Sequence, residues 1–138
     1  MSIFIRPARE PERWTIRRIV WRARINPTEL DWQRFLVAET AGRIVGVGQV
    51  KPHKDGSREL ASLAVIPSHQ RQGIGAQIIR ALLARETGIV YLVCASRLAS
   101  YYARFGFQHI ERAAMPPSFR RMAPALRWWN GCVMRRVP

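Results

Sequence analysis

Glu59-Leu60-Ala61-Ser62-Leu63-Ala64-Val65-Ile66-Pro67, followed beyond Ser68-His69 by Gln70-Arg71-Gln72-Gly73-Ile74-Gly75, reads as a strand, a tight turn and the start of a helix. A period of two predicts Glu59, Ala61, Leu63 and Val65 on one face of a strand that Pro67 ends. After the turn, Ile74, Ile78, Ile79, Leu82 and Leu83 recur at helical spacing while Arg80, Arg85 and Glu86 point elsewhere, and Gly88 is the expected stop. Ile89 to Cys94 is a continuous apolar run rich in Val and Tyr, the pattern of a buried strand. Strand, helix, strand in this order predicts a right-handed parallel crossover.

Toward the amino end, Ser2 to Arg6 alternates as a short strand closed by Pro7, and Glu12 to Arg24 has helical spacing between Pro11 and Pro27. Asp31 to Leu36 suits a turn or short helix. Phe35 to Glu39 and Arg43 to Val50 flank Thr40-Ala41-Gly42 as a hairpin, or as one bent strand pair. Residues 51 to 58 form a loop. On the other side, Arg97 to Phe105 reads as a short helix closed by Gly106, and Phe107 to Arg112 as a strand. Ser118 to Trp129 is helical, with Met122, Leu126 and Trp129 on one stripe, and Cys132 to Arg135 is a final strand. The fold class is therefore α/β: a mixed sheet with a parallel strand-helix-strand core, antiparallel ends and flanking helices. At 138 residues the chain is read as a single domain, 1–138.

Apolar residues make up 48% and charged residues 23%, which excludes the disordered and low-complexity classes. The longest uncharged apolar stretch, Gly88 to Ser96, falls short of a membrane span, and Arg6 and Arg9 come too early for a secretory signal, so a cytoplasmic location is expected. Cys94 and Cys132 make no CxxC spacing, and His53, His69 and His109 are scattered as surface or loop residues, so no metal site is expected. The 23 basic against 9 acidic residues leave a net charge of +14. Such a field attracts nucleic acid, acidic membranes, nucleotide cofactors and acidic metabolites alike, and does not choose among them.

The Gln70 to Gly75 segment carries the chemistry. Two glycines let backbone approach a ligand, and a helix amino end turns free N–H groups and a partial positive charge toward it, which suits a pyrophosphate; the other reading is a plain strand-to-helix turn. Together with Glu59 to Pro67 and with Tyr101-Tyr102-Ala103-Arg104-Phe105-Gly106-Phe107, this segment resembles the GNAT superfamily of acyl-CoA-dependent N-acetyltransferases, most densely over Glu59 to Phe107. The closing Glu111 to Arg120 and Cys132 to Met134 stretches are more loosely similar to the branch that includes N-acetylglutamate synthase, which hints at an amino-acid acceptor.

The resemblance implies a mostly antiparallel central sheet around the parallel core. It implies acetyl-CoA as co-substrate, its pyrophosphate cradled by backbone N–H groups of Gln72, Gly73, Ile74, Gly75 and Ala76, with Gln70 and Arg71 in the same loop. It also implies a pantetheine arm paired along Leu63, Ala64 and Val65. Where many relatives carry an Asn, this chain has Ala95, leaving Ser96 to supply any contact from that side.

An amine with a pKa near 10 must lose a proton before it attacks a thioester. Glu59 is the acidic residue available on the signature strand and stands where several relatives place a general base; the other reading is a carboxylate paired with Arg58 or another arginine. A tetrahedral oxyanion would be met by a backbone N–H within Leu63 to Val65. Tyr102, where relatives place a tyrosine, is the candidate donor to the leaving sulfur, with Tyr101 as a decoy and packing on Phe105 or Phe107 as the alternative. With no base beside either cysteine in sequence, direct attack in a ternary complex is expected rather than a covalent acyl-enzyme. The acceptor is a primary amine, on a small molecule or a protein. The competing reading is a non-catalytic acyl-CoA sensor or a basic nucleic-acid-associated module on the same fold. The Arg/Trp pattern of the first helix admits nucleic acid or membrane contact, a favoured acidic acceptor, or simply a solvated face; Trp128 and Trp129 fit packing or a homodimer surface.

Overall fold

The computed structural model describes residues 2–138. Its strands are β1 (Phe4–Pro7), β2 (Phe35–Thr40), β3 (Arg43–Pro52), β4 (Arg58–Val65), β5 (Val90–Ala95), β6 (Gln108–His109) and β7 (Gly131–Arg136). The helices are α1 (Arg13–Arg22), α2 (Ile74–Ala84), α3 (Ala99–Ala103) and α4 (Pro117–Leu126). The strands hydrogen-bond in the order β1-β2-β3-β4-β5-β7-β6. β4 and β5 are parallel through Arg58↔Val90 and Glu59↔Tyr91, whereas β1–β2, β2–β3, β5–β7 and β6–β7 are antiparallel. The mixed, mostly antiparallel sheet around a parallel pair is thus the expected fold. The chain divides into two compact units, residues 1–50 with 61–85 and residues 51–60 with 86–138.

In the first unit, α1 buries Ile16, Ile19 and Val20 with Phe35, Val37, Val47 and Ala64 in one cluster. Fully burying such a side chain contributes roughly 1.5–3 kcal/mol, and this drives the amphipathic helix onto the sheet. The alternate β3 positions, Gly46 and Gly48, serve α2. A Cβ on Gly46 would sit 2.9 Å from Ile78 Cδ1, and one on Gly48 2.9 Å from Ile78 Cγ2. Two missing side chains therefore let α2 settle close to β3. The β2–β3 hairpin turns at Ala41 and Gly42, both at positive φ (50° and 75°), as a tight two-residue turn matched to strand twist requires.

The second unit is built on β5 and β7, whose register runs from Val90↔Arg136 to Ala95↔Gly131. Tyr91, Ile110, Met115, Phe119, Leu126 and Val133 form its core.

Several expectations are corrected. The period of two along β4 is interrupted at Ser62, whose φ of 57° marks a bulge, so counting alone does not place Glu59 on the face of Leu63 and Val65. Gly88 is not the helix stop: α2 ends at Ala84 with Arg85 in right-handed conformation as its cap. The strand foreseen over Phe107 to Arg112 shrinks to Gln108–His109, a short edge beside β7. β7 is last in sequence but lies between β5 and β6. Trp129 leaves the Met122–Leu126 stripe, because α4 passes into a tighter 3-10 turn over Arg127–Trp129 that changes the helical phase.

Candidate active site

The amino end of α2 is held by local backbone. Gln70 Nε2 donates to the Val65 carbonyl at 2.9 Å, tying the turn back to the end of β4. Arg71 (φ 65°) and Gly73 (φ 78°) both adopt left-handed conformation, and Gly73 is the helix N-cap. A Cβ on Gly73 would meet nothing within 4 Å, so glycine is required there by dihedral angle, and the space in front of it is open. The first α-helical bond runs from Gln77 N–H to the Gly73 carbonyl at 3.1 Å, and no side chain caps the helix. The N–H groups of Ile74, Gly75 and Ala76 thus lie in the first turn, where intrahelical acceptors do not exist. This cradle fits a phosphate group, which the N–H dipoles and the helix macrodipole both favour. Leu63, Ala64 and Val65 follow the Ser62 bulge, with Ala64 buried under the α1 cluster.

In the second unit Glu59 is buried (8% exposed), and its Oε1 lies 2.7 Å from His53 Nε2. Toward an ionised carboxylate the imidazole Nε2–H donates. The arginine pairing open to Glu59 in sequence goes elsewhere: Arg58 bonds Glu86, Nη2 to Oε2 at 3.1 Å, which raises the guanidinium pKa. His53, read from sequence as a surface or loop histidine, is instead half-buried, with its ring edge-on to Phe119 at 5.0 Å. Phe119 in turn packs on Tyr91 at 5.1 Å. The loop that carries His53 is pinned by Asp55, whose carboxylate accepts from the Ser57 hydroxyl and N–H and from the Ser118 N–H. Those bonds, the Ser57 hydroxyl first, hold Asp55 well below the usual carboxylate range. No spacing signal marked His53, because the turn that returns it to Glu59 shows only as Pro, Asp and Gly in a loop.

Tyr102 sits on α3 with its ring edge-on to Tyr101 at 5.2 Å and to Phe107 at 6.3 Å, while Phe105 meets Tyr101 edge-on instead, at 5.4 Å. Burial, with smaller contributions from Cys94 and Tyr101, pushes its phenol up to about 12, so Tyr102 stays a neutral O–H donor across the neutral range. Ser96, at the end of β5, donates its N–H to the Asn130 carbonyl at 2.9 Å. Cys94 faces Cys132 across β5 and β7 with sulfurs 3.8 Å apart, and burial pushes the Cys94 thiol up to about 12, leaving almost no thiolate at neutral pH. No helix among the described residues is long and apolar enough to cross a membrane.

Residues 31–109 match the family model described as an acetyltransferase (GNAT) domain. Among solved structures, the chain is similar to Rv2747 from Mycobacterium tuberculosis, solved in complex with CoA, at 22% identity and a TM-score of 0.81, covering 98% of this chain and 99% of that one. It is similar to N-acetylglutamate synthase from Neisseria gonorrhoeae, complexed with coenzyme A and N-acetyl-glutamate, at 18% identity and a TM-score of 0.81. That match covers 99% of this chain but only 35% of the synthase chain. A GNAT family acetyltransferase from Brucella melitensis, in complex with acetyl-CoA, matches at 27% identity and a TM-score of 0.64 over 78% of this chain and 83% of that one. A sequence search of curated proteins returns no match. With the model spanning more than half of the chain and the sheet order and helix turn in agreement with it, the chain belongs to the GNAT acetyltransferase family.

Proposed function

We propose that residues 1–138 act as one acetyl-CoA-dependent N-acetyltransferase domain that moves an acetyl group to a primary amine by direct attack in a ternary complex. The observation that carries this reading is the uncapped first turn of α2 behind Gly73, a built anion cradle at the position the family uses for the cofactor. In this reading Gln70, Arg71 and the N–H groups of Gln72 to Ala76 hold the pyrophosphate, the backbone of Leu63 to Val65 orients the pantetheine arm, and Ser96 adds a polar contact in place of the missing Asn. Acetyl-CoA supplies an activated thioester. A backbone N–H after the Ser62 bulge stabilises negative charge that develops on the carbonyl oxygen.

Glu59 takes the amine proton, and the His53 Nε2–H holds its carboxylate in one rotamer. Tyr102 donates a hydrogen bond to the departing sulfur. With its phenol near 12 and an ordinary thiol near about 8.5, complete proton transfer from Tyr102 is uphill by roughly 5 kcal/mol, so its contribution is hydrogen-bond stabilisation and solvent delivers the final proton. The elevated Cys94 thiol favours this direct route over an acyl-cysteine. The acceptor class follows the amino-acid-like ligand of the gonococcal synthase, and protein amines are the alternative. Release of free thiol from acetyl-CoA against a panel of amino acids, polyamines and peptides tests the reading: turnover on any amine supports it, and coenzyme binding with no turnover on the panel points to an acyl-CoA sensor.

A further inference from the structure

The side of α1 turned away from the core carries an unusual series. Trp14, Arg17, Arg18 and Trp21, at helical spacings of three and four, are exposed, with Trp14 and Trp21 at 60% and 71%. Arg13 and Arg17 place their guanidinium groups over the Trp14 ring, 5.1 and 5.3 Å from its centroid. Beside this stripe lies a cavity of about 890 Å³, lined by Thr15, Arg18 and Arg22 of α1, Arg43 at the start of β3, and Pro67 and Ser68.

The charge balance inside the cavity is one-sided. Its carboxylate, Glu12, is consumed by Arg6, with bonds of 3.0 and 2.7 Å, and Arg6 is shared with Glu39. Arg18, Arg22 and Arg43 make no ion pair among the described residues. Three uncompensated guanidinium groups in a concave wall beside two exposed indoles form a charged groove next to stacking platforms, the combination that binds single-stranded nucleic acid.

We propose that the α1 stripe and the arginine-lined cavity form a binding site for single-stranded nucleic acid, with Arg18, Arg22 and Arg43 on phosphates and Trp14 and Trp21 on bases. A bilayer surface fits less well. The aliphatic residues of α1, Ile16, Ile19 and Val20, are spent in the core, so only the two exposed indoles are left to enter a bilayer, and Arg18, Arg22 and Arg43 line a concave wall rather than one plane parallel to a headgroup surface. The site uses neither Glu59 nor Tyr102, but its cavity shares Val65 and Gln70 with the coenzyme site proposed above, so a coenzyme competition separates the two.

Fluorescence anisotropy of a labelled oligouridine of about 12 nucleotides, titrated with the full chain between about 50 and about 200 mM salt, tests it. Binding is expected to weaken steeply with salt. Trp14→Ala and Trp21→Ala, both at exposed positions, are expected to weaken it about tenfold each at constant salt slope. The Arg18→Ala, Arg22→Ala, Arg43→Ala triple variant is expected to flatten the slope of log affinity on log salt by about 2, near 0.7 for each lost phosphate contact. Because Gln70 also lines the cavity, coenzyme A serves as competitor and phosphatidylserine vesicles as a control. No binding at about 50 mM salt overturns the proposal. So does binding that none of the variants changes, displacement of the oligonucleotide by coenzyme A one for one, or a preference for the vesicles.

Discussion

The first turn of α2 and the corner that holds Glu59 are built on different principles. The turn consists of main chain: two left-handed residues, an uncapped helix end, and a glutamine returning to a carbonyl five residues earlier. Nearly every contact in it lies within a dozen residues, and a short motif encodes it. The Glu59 corner consists of side chains from separated segments, with His53 from a loop, Phe119 from α4 and Asp55 bonded to Ser118. Binding a phosphate needs donors and an open approach, which backbone provides without regard to side-chain identity. Moving a proton needs one particular carboxylate in one orientation, and that takes neighbours recruited across the chain.

If this contrast is right, the two regions fail differently under mutation. The largest effect belongs to the turn: Gly73→Asp forces a residue with a Cβ into φ 78° and puts a negative charge where phosphate belongs, so coenzyme affinity in calorimetry should fall by at least about a thousandfold. Normal affinity in that variant would relocate the cofactor. Next, Glu59→Gln should lower kcat by about a hundred- to a thousandfold while coenzyme affinity is retained. The deficit should shrink toward pH 10, where the free amine supplies itself; a kcat equal to wild type would move the base role to His53 or to water.

Tyr102→Phe should cost roughly tenfold in kcat with little change in KM, as loss of one hydrogen bond to the leaving group predicts. The same variant has a stability signature. The folded phenol titrates near 12 and the unfolded one near 10, so above pH 10 the unfolded state loses its proton first, and wild-type stability declines as pH rises from about 10 to about 12. Denaturant melts of Tyr102→Phe should lack that decline. The smallest effect is expected for Asp55→Asn. The Asp55 carboxylate is held low in the folded state, so its contribution is present above its ordinary pKa near about 4 and is lost as pH falls through the lower folded value. The gap in stability between wild type and variant should therefore close in acid, and a modest rise in KM through a looser His53 loop should accompany it.

Most of the first unit was legible in sequence. Period-two and helical-period patterns located β4 and α2, the Ala41-Gly42 pair marked the hairpin, and the glycines of the turn marked the start of α2. What escaped notice there were Gly46 and Gly48, which look like weak points in a strand until Ile78 is seen pressed against them. Ser62 escaped for a similar reason: a bulge is a choice of φ that serine does not announce, and it undoes any face assignment made by counting. In the second unit the elements were read more accurately than their arrangement. Nothing local says that β7 inserts between β5 and β6, because strand order is settled by which edges remain open when the chain returns.

By itself the sequence determined the alternation of strands and helices, the parallel crossover and the location of the glycine turn ahead of α2, since these depend on periodicity and on backbone freedom within a few residues. The tertiary structure alone decided that Glu59 partners His53 rather than an arginine, that Tyr102 is buried enough to stay protonated, and that three arginines of the first unit share one cavity. Those are facts of proximity and desolvation. They arise only when distant segments exclude water from one another, and no spacing along a single chain encodes that distance.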